Sequence, residues 1–217
     1  MAVVIEIAVI GVVAMFFAMR LAGKLAPRPM AMALEQFFLT NPIRMRFFGP
    51  RQALALLGDA GGKRILEIGT GVGVILEALF HRVGPDGLVA GLDIQPQAIA
   101  YTASRLKAAG AEHADVRLGS AVALPWSNQT FDRVLMVSML GELPDTQRVQ
   151  ALREMARVLR SDGQGILTEF WPDPHYIGEA RLKRYCLDAG FEVVATYHAP
   201  LLYSLRVLPQ HPVGNVI

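Results

Sequence analysis

Glu67, Gly69, Thr70, Gly71 and Gly73 lie together in the stretch RILEIGTGVGVILEAL (64–79), and Asp93 follows 20 residues after the last of these glycines. This set suits one kind of chemistry, the holding of a polar, ribose-bearing ligand. Glycines lack the Cβ that keeps a ligand away from the backbone, and a helix N-terminus behind them offers free N–H groups. A carboxylate at the end of the neighbouring strand can accept both hydroxyls of a ribose. The spacing G-x-G-x-G differs from the G-x-G-x-x-G of dinucleotide-binding turns, and either pattern needs its strand and helix to carry meaning. Glycines that only make a turn, with Asp93 only capping a helix, would be the plainer account, but it does not explain why all six occur together.

Those residues need a scaffold, and the chain predicts one. Buried strands are expected at RILEI (64–68), GLVAGLDI (87–94), ADVRLG (114–119), FDRVLMVSML (131–140) and GILTEFW (165–171). Helices are expected at VILEALFHRV (74–83), at 96–110 with Pro96 in its first turn, at 145–160 with SDGQG as its stop, and at 176–190. Strands that alternate with helices imply a parallel sheet with right-handed crossovers. Residues 191–209 read as two strands around Ala199-Pro200, with no helix between them and so antiparallel. The expected fold is Rossmann-like α/β: a seven-stranded, mostly parallel sheet with an antiparallel last strand, preceded by an N-terminal hydrophobic helix.

That helix comes from residues 1–25. Between Met1 and Met19 the only charged side chain is Glu6, and Arg20, Lys24 and Arg28 follow. A helix over that stretch would span about 28 Å, close to a hydrocarbon core of about 30 Å. Positive charge after the apolar run, not before it, argues against a secretory leader and places the rest of the chain on the cytoplasmic side. The reading is a membrane anchor with a cytoplasmic catalytic domain. The other use of such a helix is packing, on the domain or in a homodimer, and Glu6 within the span favours it. Residues 26–50 mix apolar, aromatic and basic side chains, including Phe37, Phe38, Phe47 and Phe48, and suit an interfacial linker, an active-site lid or core. Residues 51–217 form the remaining domain. A net charge of +2 gives no field for nucleic acid. The five histidines and single cysteine show no metal-ligand spacing, so no metal is expected, and Cys186 reads as a buried structural thiol.

Four segments in order, LEIGTGVGVILEAL, GLDIQPQAIAYTASRL, LGSAVALPWSNQTFDRVLMVSML and LREMARVLRSDGQGILTEF, resemble the class I S-adenosylmethionine-dependent methyltransferases over roughly residues 50 to 205. The resemblance implies S-adenosylmethionine as cofactor. It puts Glu67, Gly69, Thr70, Gly71 and Gly73 at the methionine end and Asp93 on the ribose hydroxyls. Ile94 would flank the adenine, and Ser138, Met139 and Leu140 would floor the pocket. Where many relatives carry an acidic "GDA" for the adenine amine, this chain has "GSA", leaving Ser120 or the Ala121 amide for that contact. LGELPD (140–145) and FWPDPHY (170–176) resemble segments of small membrane-associated methyltransferases that modify quinones and lipids.

A sulfonium is already a good leaving group, so such an enzyme mainly aligns the acceptor and excludes water, and needs a base only when the acceptor atom carries a proton. The acceptor should lie over the carboxyl ends of the 131–140 and 165–171 strands. Glu142, Glu169, His175 and Tyr176 are the candidates there, with His175, Glu142 and Tyr176 preferred as catalytic. Tyr203 and His198 read as sheet residues. The expected acceptor is lipophilic: a phospholipid amine, a quinol or another hydrophobic small molecule. A soluble small molecule, or a scaffold that binds cofactor without catalysis, are the alternatives.

Overall fold

The computed structural model of the protein describes residues 29, 50–111 and 113–210. The helix expected over 1–25 lies outside the described residues, and so does the aromatic set Phe37, Phe38, Phe47 and Phe48 from the expected linker or lid. Among the described residues no helix is long and apolar enough to cross a membrane.

The described chain runs α1 (Pro50–Ala53), β1 (Arg64–Ile68), α2 (Val74–Val83), β2 (Leu88–Asp93), α3 (Pro96–Ala108), β3 (Asp115–Leu118), β4 (Phe131–Val137), a 3-10 turn (Leu140–Glu142), α4 (Asp145–Val158), β5 (Leu159–Phe170), α5 (Glu179–Asp188), β6 (Phe191–Ala199) and β7 (Leu202–Pro209). All seven strands join one sheet in the order β3-β2-β1-β4-β5-β7-β6. Only β7 runs against its neighbours, as expected for a last strand that returns without a helix. The parallel strands are apolar runs because both faces of the sheet are covered. Ile65, Val89, Leu135 and Ile166 face a core closed by Leu54, Leu57, Leu76, Leu79 and Leu106. The alternate residues Leu66, Leu92, Val134, Met136 and Leu167 face a second core with Leu152, Met155, Leu182 and Phe191. Cys186 is buried in that second core, and burial pushes its thiol up to about 12. It is an unreactive packing residue, as its sequence context suggested.

The loop between β3 and β4 shows what its signature residues do. Phe131 fills the core and meets Trp126 edge-on. Asp132 accepts the first N–H of β1, from Arg64, at 2.9 Å. Arg157 of α4 donates to the Leu124 and Trp126 carbonyls at 2.9 and 2.7 Å and to Glu154 at 2.8 Å, while Glu154 accepts the Leu124 N–H. The Arg157 hydrogen bond holds the Glu154 carboxyl below the usual carboxylate range. LPW is therefore bolted to α4 through backbone groups.

Three boundaries differ from expectation. The 145–160 helix ends at Val158, and the SDGQG turn is absorbed into β5. Phe131 pairs with Leu159 but Arg133 pairs with Gln164, so the extra β5 residues between them bulge, with Arg160, Ser161 and Asp162 exposed. The strand expected to run through 140 stops at Val137, because Ser138 turns into the left-handed region at φ 51°. The helix expected from Tyr176 starts at Glu179, because the backbone is still extended at Gly178, with φ −66° and ψ 145°.

Replacing Arg157 with Ala leaves two loop carbonyls and the Glu154 carboxylate without their donor. Stability should fall by about 1–3 kcal/mol, read as a lower urea midpoint at unchanged slope. An unshifted midpoint would mean that water substitutes for the guanidinium.

Candidate active site

β1 lies inside the sheet between β2 and β4, where the strand order reverses: β2 and β3 follow on one side and β4 on the other. Crevices at such a reversal, beyond the carboxyl ends of the strands, are where α/β sheets bind ligands. The 69–73 loop occupies that place. Gly69, Gly71 and Gly73 all have positive φ, at 81°, 50° and 76°, a conformation that side-chain-bearing residues avoid. The Gly69 and Thr70 N–H groups donate to the Leu92 carbonyl at 2.7 and 3.2 Å, which lays the loop across the top of β2. From behind, Thr102 of α3 donates to the Gly71 carbonyl and Arg105 to the Val72 carbonyl. A Cβ on Gly73 would stand 2.9 Å from the Thr102 Cα, so α3 packs directly on the loop backbone.

Asp93, buried at the end of β2, accepts the Gly71 N–H on Oδ2 and the Gln95 N–H on Oδ1, both at 2.9 Å. Each oxygen keeps a second acceptor site. Gly119 at the end of β3 donates to the Asp93 carbonyl at 2.9 Å, bringing Ser120 and Ala121 beside Ile94. Ile94 is exposed and Ala121 is buried in the core, while the Ser120 hydroxyl receives a long, 3.4 Å contact from the Val122 N–H.

Gly69 also meets the loop after β4. A Cβ there would lie 2.7 Å from the Met139 Cβ. Ser138, beside Met139, holds its left-handed turn through an N–H to the Thr168 carbonyl at 2.8 Å. Its hydroxyl is buried and has no hydrogen-bond partner among the described residues. A strained backbone and an unmade hydrogen bond together cost of the order of a few kcal/mol. Such costs gather at sites that hold something. The structure thus brings Glu67, Gly69, Thr70, Gly71, Gly73, Asp93, Ser138 and Met139 around one crevice, with Ile94, Ser120 and Ala121 along its β2–β3 side.

The other three candidates lie on the β4–β5 side. Glu142 is half-buried on the 3-10 turn. His175 and Tyr176 follow β5. The two loops are stacked so tightly that a Cβ on Gly141 would overlap the His175 carbonyl. The His175 N–H donates to Asp173 Oδ1 at 2.7 Å. Its ring is nearly buried, with Nδ1 3.6 Å from the same carboxylate oxygen and without a hydrogen-bond partner among the described residues. The Tyr176 ring meets Tyr203 edge-on at 6.0 Å, and the Tyr203 hydroxyl donates to the Ile177 carbonyl. Tyr203 and His198 are sheet residues, as expected.

Glu169 is different from the candidate the sequence offered. It sits under the loop, 3% exposed, and its Oε2 accepts the Ile177 N–H at 2.9 Å. Burial pushes its carboxyl up to about 8. The Ile177 hydrogen bond opposes that shift, the Asp173 charge adds to it, and Arg148 opposes it. Two neighbours escaped sequence reasoning. Asp173 had a signal, an Asp between prolines two residues before His175, which is turn chemistry. Arg148 had none. It is a single arginine on an amphipathic helix, yet it is buried and donates to the Gly141 and Leu143 carbonyls at 3.0 Å while pairing with Asp145.

Comparison with known proteins agrees with this geometry. Residues 65–163 match the family described as "Methyltransferase domain". The chain is 32% identical over 119 residues to a demethylmenaquinone methyltransferase of Bacillus cytotoxicus, covering 55% of this chain and 49% of that protein. It is 32% identical to nocamycin O-methyltransferase of Saccharothrix syringae, over 78% of this chain and 61% of the relative. Against phosphatidylethanolamine N-methyltransferase of Cereibacter sphaeroides the identity is again 32%, over 76% of this chain and 82% of that one. The chain thus spans about half to three fifths of the first two relatives and most of the third. A crystal structure of a SAM-dependent methyltransferase from Aquifex aeolicus superposes with a TM-score of 0.75 at 21% identity, over 83% of this chain and 99% of the other, and shares the fold. The protein belongs to the class I S-adenosylmethionine-dependent methyltransferases. The cofactor of that family is S-adenosylmethionine, and the residues present fit it. Asp93 retains two free acceptor sites for two ribose hydroxyls, and the buried Ser138 hydroxyl lacks a partner that a polar ligand would supply.

Two tests follow from the site. Replacing Asp93 with Ala removes the acceptor for Gly71 and Gln95 along with the acceptor sites a ribose would use. Two lost hydrogen bonds to a charged group, at about 1.5–3 kcal/mol each, should weaken S-adenosylmethionine binding by calorimetry at least tenfold, and unchanged affinity would remove Asp93 from the site. For Glu169 the sign is set by proton binding. Folded, it ionises near 8; unfolded, near 4.5. Between those values the folded state keeps a proton that the unfolded chain has lost, so Glu169 subtracts more stability as pH rises, and the loss is complete above about 8. Glu169→Gln should match wild type in thermal stability near pH 4 and exceed it increasingly up to about pH 8.

Proposed function

We propose that this protein transfers a methyl group from S-adenosylmethionine to a lipophilic acceptor: a phospholipid amine, a quinol or another hydrophobic small molecule. The observation that carries the reading is the match to a phosphatidylethanolamine N-methyltransferase over most of both chains. The demethylmenaquinone methyltransferase match supports it, as does the apolar run from Met1 to Met19 ahead of the domain. In this reading that run holds the enzyme at the membrane, with the domain on the cytoplasmic side, where a bilayer-dissolved acceptor is concentrated. A soluble acceptor is the second reading, favoured by the nocamycin O-methyltransferase match, with the N-terminal segment then serving a homodimer.

When bound, S-adenosylmethionine supplies a methyl group activated by its sulfonium. Glu67, Gly69, Thr70, Gly71 and Gly73 would hold the methionine end, with Ser138 and Met139 beneath it. Asp93 would hold the ribose, and Ile94, Ser120 and Ala121 the adenine. The acceptor side belongs to His175, Glu142 and Tyr176. His175 is the base for an acceptor that carries a proton. Its Nδ1 stands 3.6 Å from Asp173 Oδ1, beyond a hydrogen bond. Contacts of this kind tighten when substrate binds. An Nδ1–H given to Asp173 leaves Nε2 to take the acceptor proton. Tyr176 and Glu142 orient the acceptor and help keep water out.

The test uses the full chain in mild detergent with methyl-labelled S-adenosylmethionine and a total lipid extract. Label should pass to the organic phase, and its chromatographic mobility should separate amine from quinol products. Label found only in added aqueous metabolites would overturn the lipophilic reading. On the accepted substrate, His175→Ala should lower kcat by roughly 10²–10⁴-fold while leaving cofactor affinity unchanged.

A further inference from the structure

The mechanism above uses His175 but not the carboxyl buried beneath it. Glu169 is the last but one residue of β5, where the chain leaves the sheet for the loop. The loop returns over it, and Ile177 closes the circuit by donating its N–H to Glu169 Oε2. Inside this short cycle Asp173 does the fastening. It accepts the His175 N–H on its side chain and the Tyr176 N–H on its carbonyl, the latter at 3.1 Å. The turn Asp173–Ile177 is thus held at one end by Asp173 and at the other by Glu169, with His175 between them and pressed on Gly141.

The charges around Glu169 are few. The turn presents Asp173, His175 and Tyr176. From α4 comes the buried Arg148, committed to the Gly141 and Leu143 carbonyls and to Asp145. β7 adds Tyr203, whose hydroxyl burial and the Glu169 charge both keep protonated. On the α5 side, Glu179 and Cys186 act on Tyr203. An ionised Glu169 adds a second negative charge near Asp173, and among the described residues the nearby cation, Arg148, is already committed to Asp145. Uncompensated buried charge is relieved most cheaply by letting water in. Glu169 pairs with Tyr203 of β7 in the sheet, and among the described residues the turn that carries His175 also lies against it.

We propose that Glu169 is a positioning residue for His175: as a neutral carboxyl it holds the Asp173–Ile177 turn closed, and on losing its proton it opens that turn and withdraws His175 from the site. The proposal rests on the reading of His175 as an acceptor-facing group only for its effect on rate; the opening itself is a property of the fold. Nothing beyond a proton released to solvent is exchanged.

Hydrogen–deuterium exchange on the full chain in detergent tests the opening without any acceptor. Wild type is compared with Glu169→Gln at each pH, so that the intrinsic pH dependence of exchange cancels in the ratio. Glutamine keeps an oxygen for the Ile177 N–H and cannot ionise. For a peptide spanning 170–178 the two proteins should exchange alike near pH 4.5. Wild type should then gain on the variant up to about pH 8, where it should exchange on the order of tenfold faster or more. Asp173→Asn, which retains an acceptor for the His175 N–H but removes the opposing charge, should reduce the acceleration without abolishing it, since burial is the larger cause. A ratio that stays at one across this range overturns the proposal. So does an acceleration spread equally over β5 and β7, which would mark general loosening. With a working acceptor, wild-type kcat should fall relative to Glu169→Gln as pH rises toward about 8, and no further above it. Failure of His175→Ala to affect rate would overturn the catalytic reading and leave the exchange result standing.

Discussion

Asp93 takes one backbone N–H from the loop after β1 and another from the start of α3, and the carboxyl edge of the sheet is arranged around that pair of bonds. The bond to Gly71 holds the glycine loop against β2. Once there, Gly69 has no room for anything but the Met139 side chain, so the exit of β4 is placed as well. The Asp93 carbonyl, through Gly119, sets the end of β3. One buried carboxylate therefore couples three strand ends, and its charge is tolerable because two N–H dipoles point at it.

The opposite half of the edge is built on a different balance. Arg148 fastens the turn after β4 by its backbone carbonyls, and that turn seats the loop after β5. Beneath lie two carboxyls of unequal environment. Asp173 spends its charge on a backbone N–H, whereas burial keeps the proton on Glu169 at neutral pH. Burial that keeps a carboxyl neutral is a recurring device at functional sites. Here that carboxyl lies under the loop that carries a histidine.

Much of the framework could be read from the chain because parallel strands buried on both faces leave unbroken apolar runs, and β1, β2 and β4 have them. The glycine loop was equally legible, since three positive-φ positions in five residues exclude most other residues. Ser138 was not. No rule of composition makes a serine left-handed. Its conformation comes from the Thr168 carbonyl it must reach and the Gly69 surface on which its neighbour lies. SDGQG looked like a helix stop and behaves as a bulge, because tertiary pairing with β4 overrides a local turn signal. Glu169 was visible as a strand-end acid, but its burial depends on β7 and α4 closing over it, contacts made by residues far away in sequence.

The contact between Gly141 and the His175 carbonyl has a further implication, for the redesign of this enzyme. Two segments that touch through bare backbone cannot be altered independently. A larger residue on one side is admissible only with a reshaped chain on the other. Segments 138–143 and 171–177 are therefore one structural unit. On the proposed reading of these loops, a new acceptor preference would be installed by exchanging both together, with the glycine loop and Asp93 left in place.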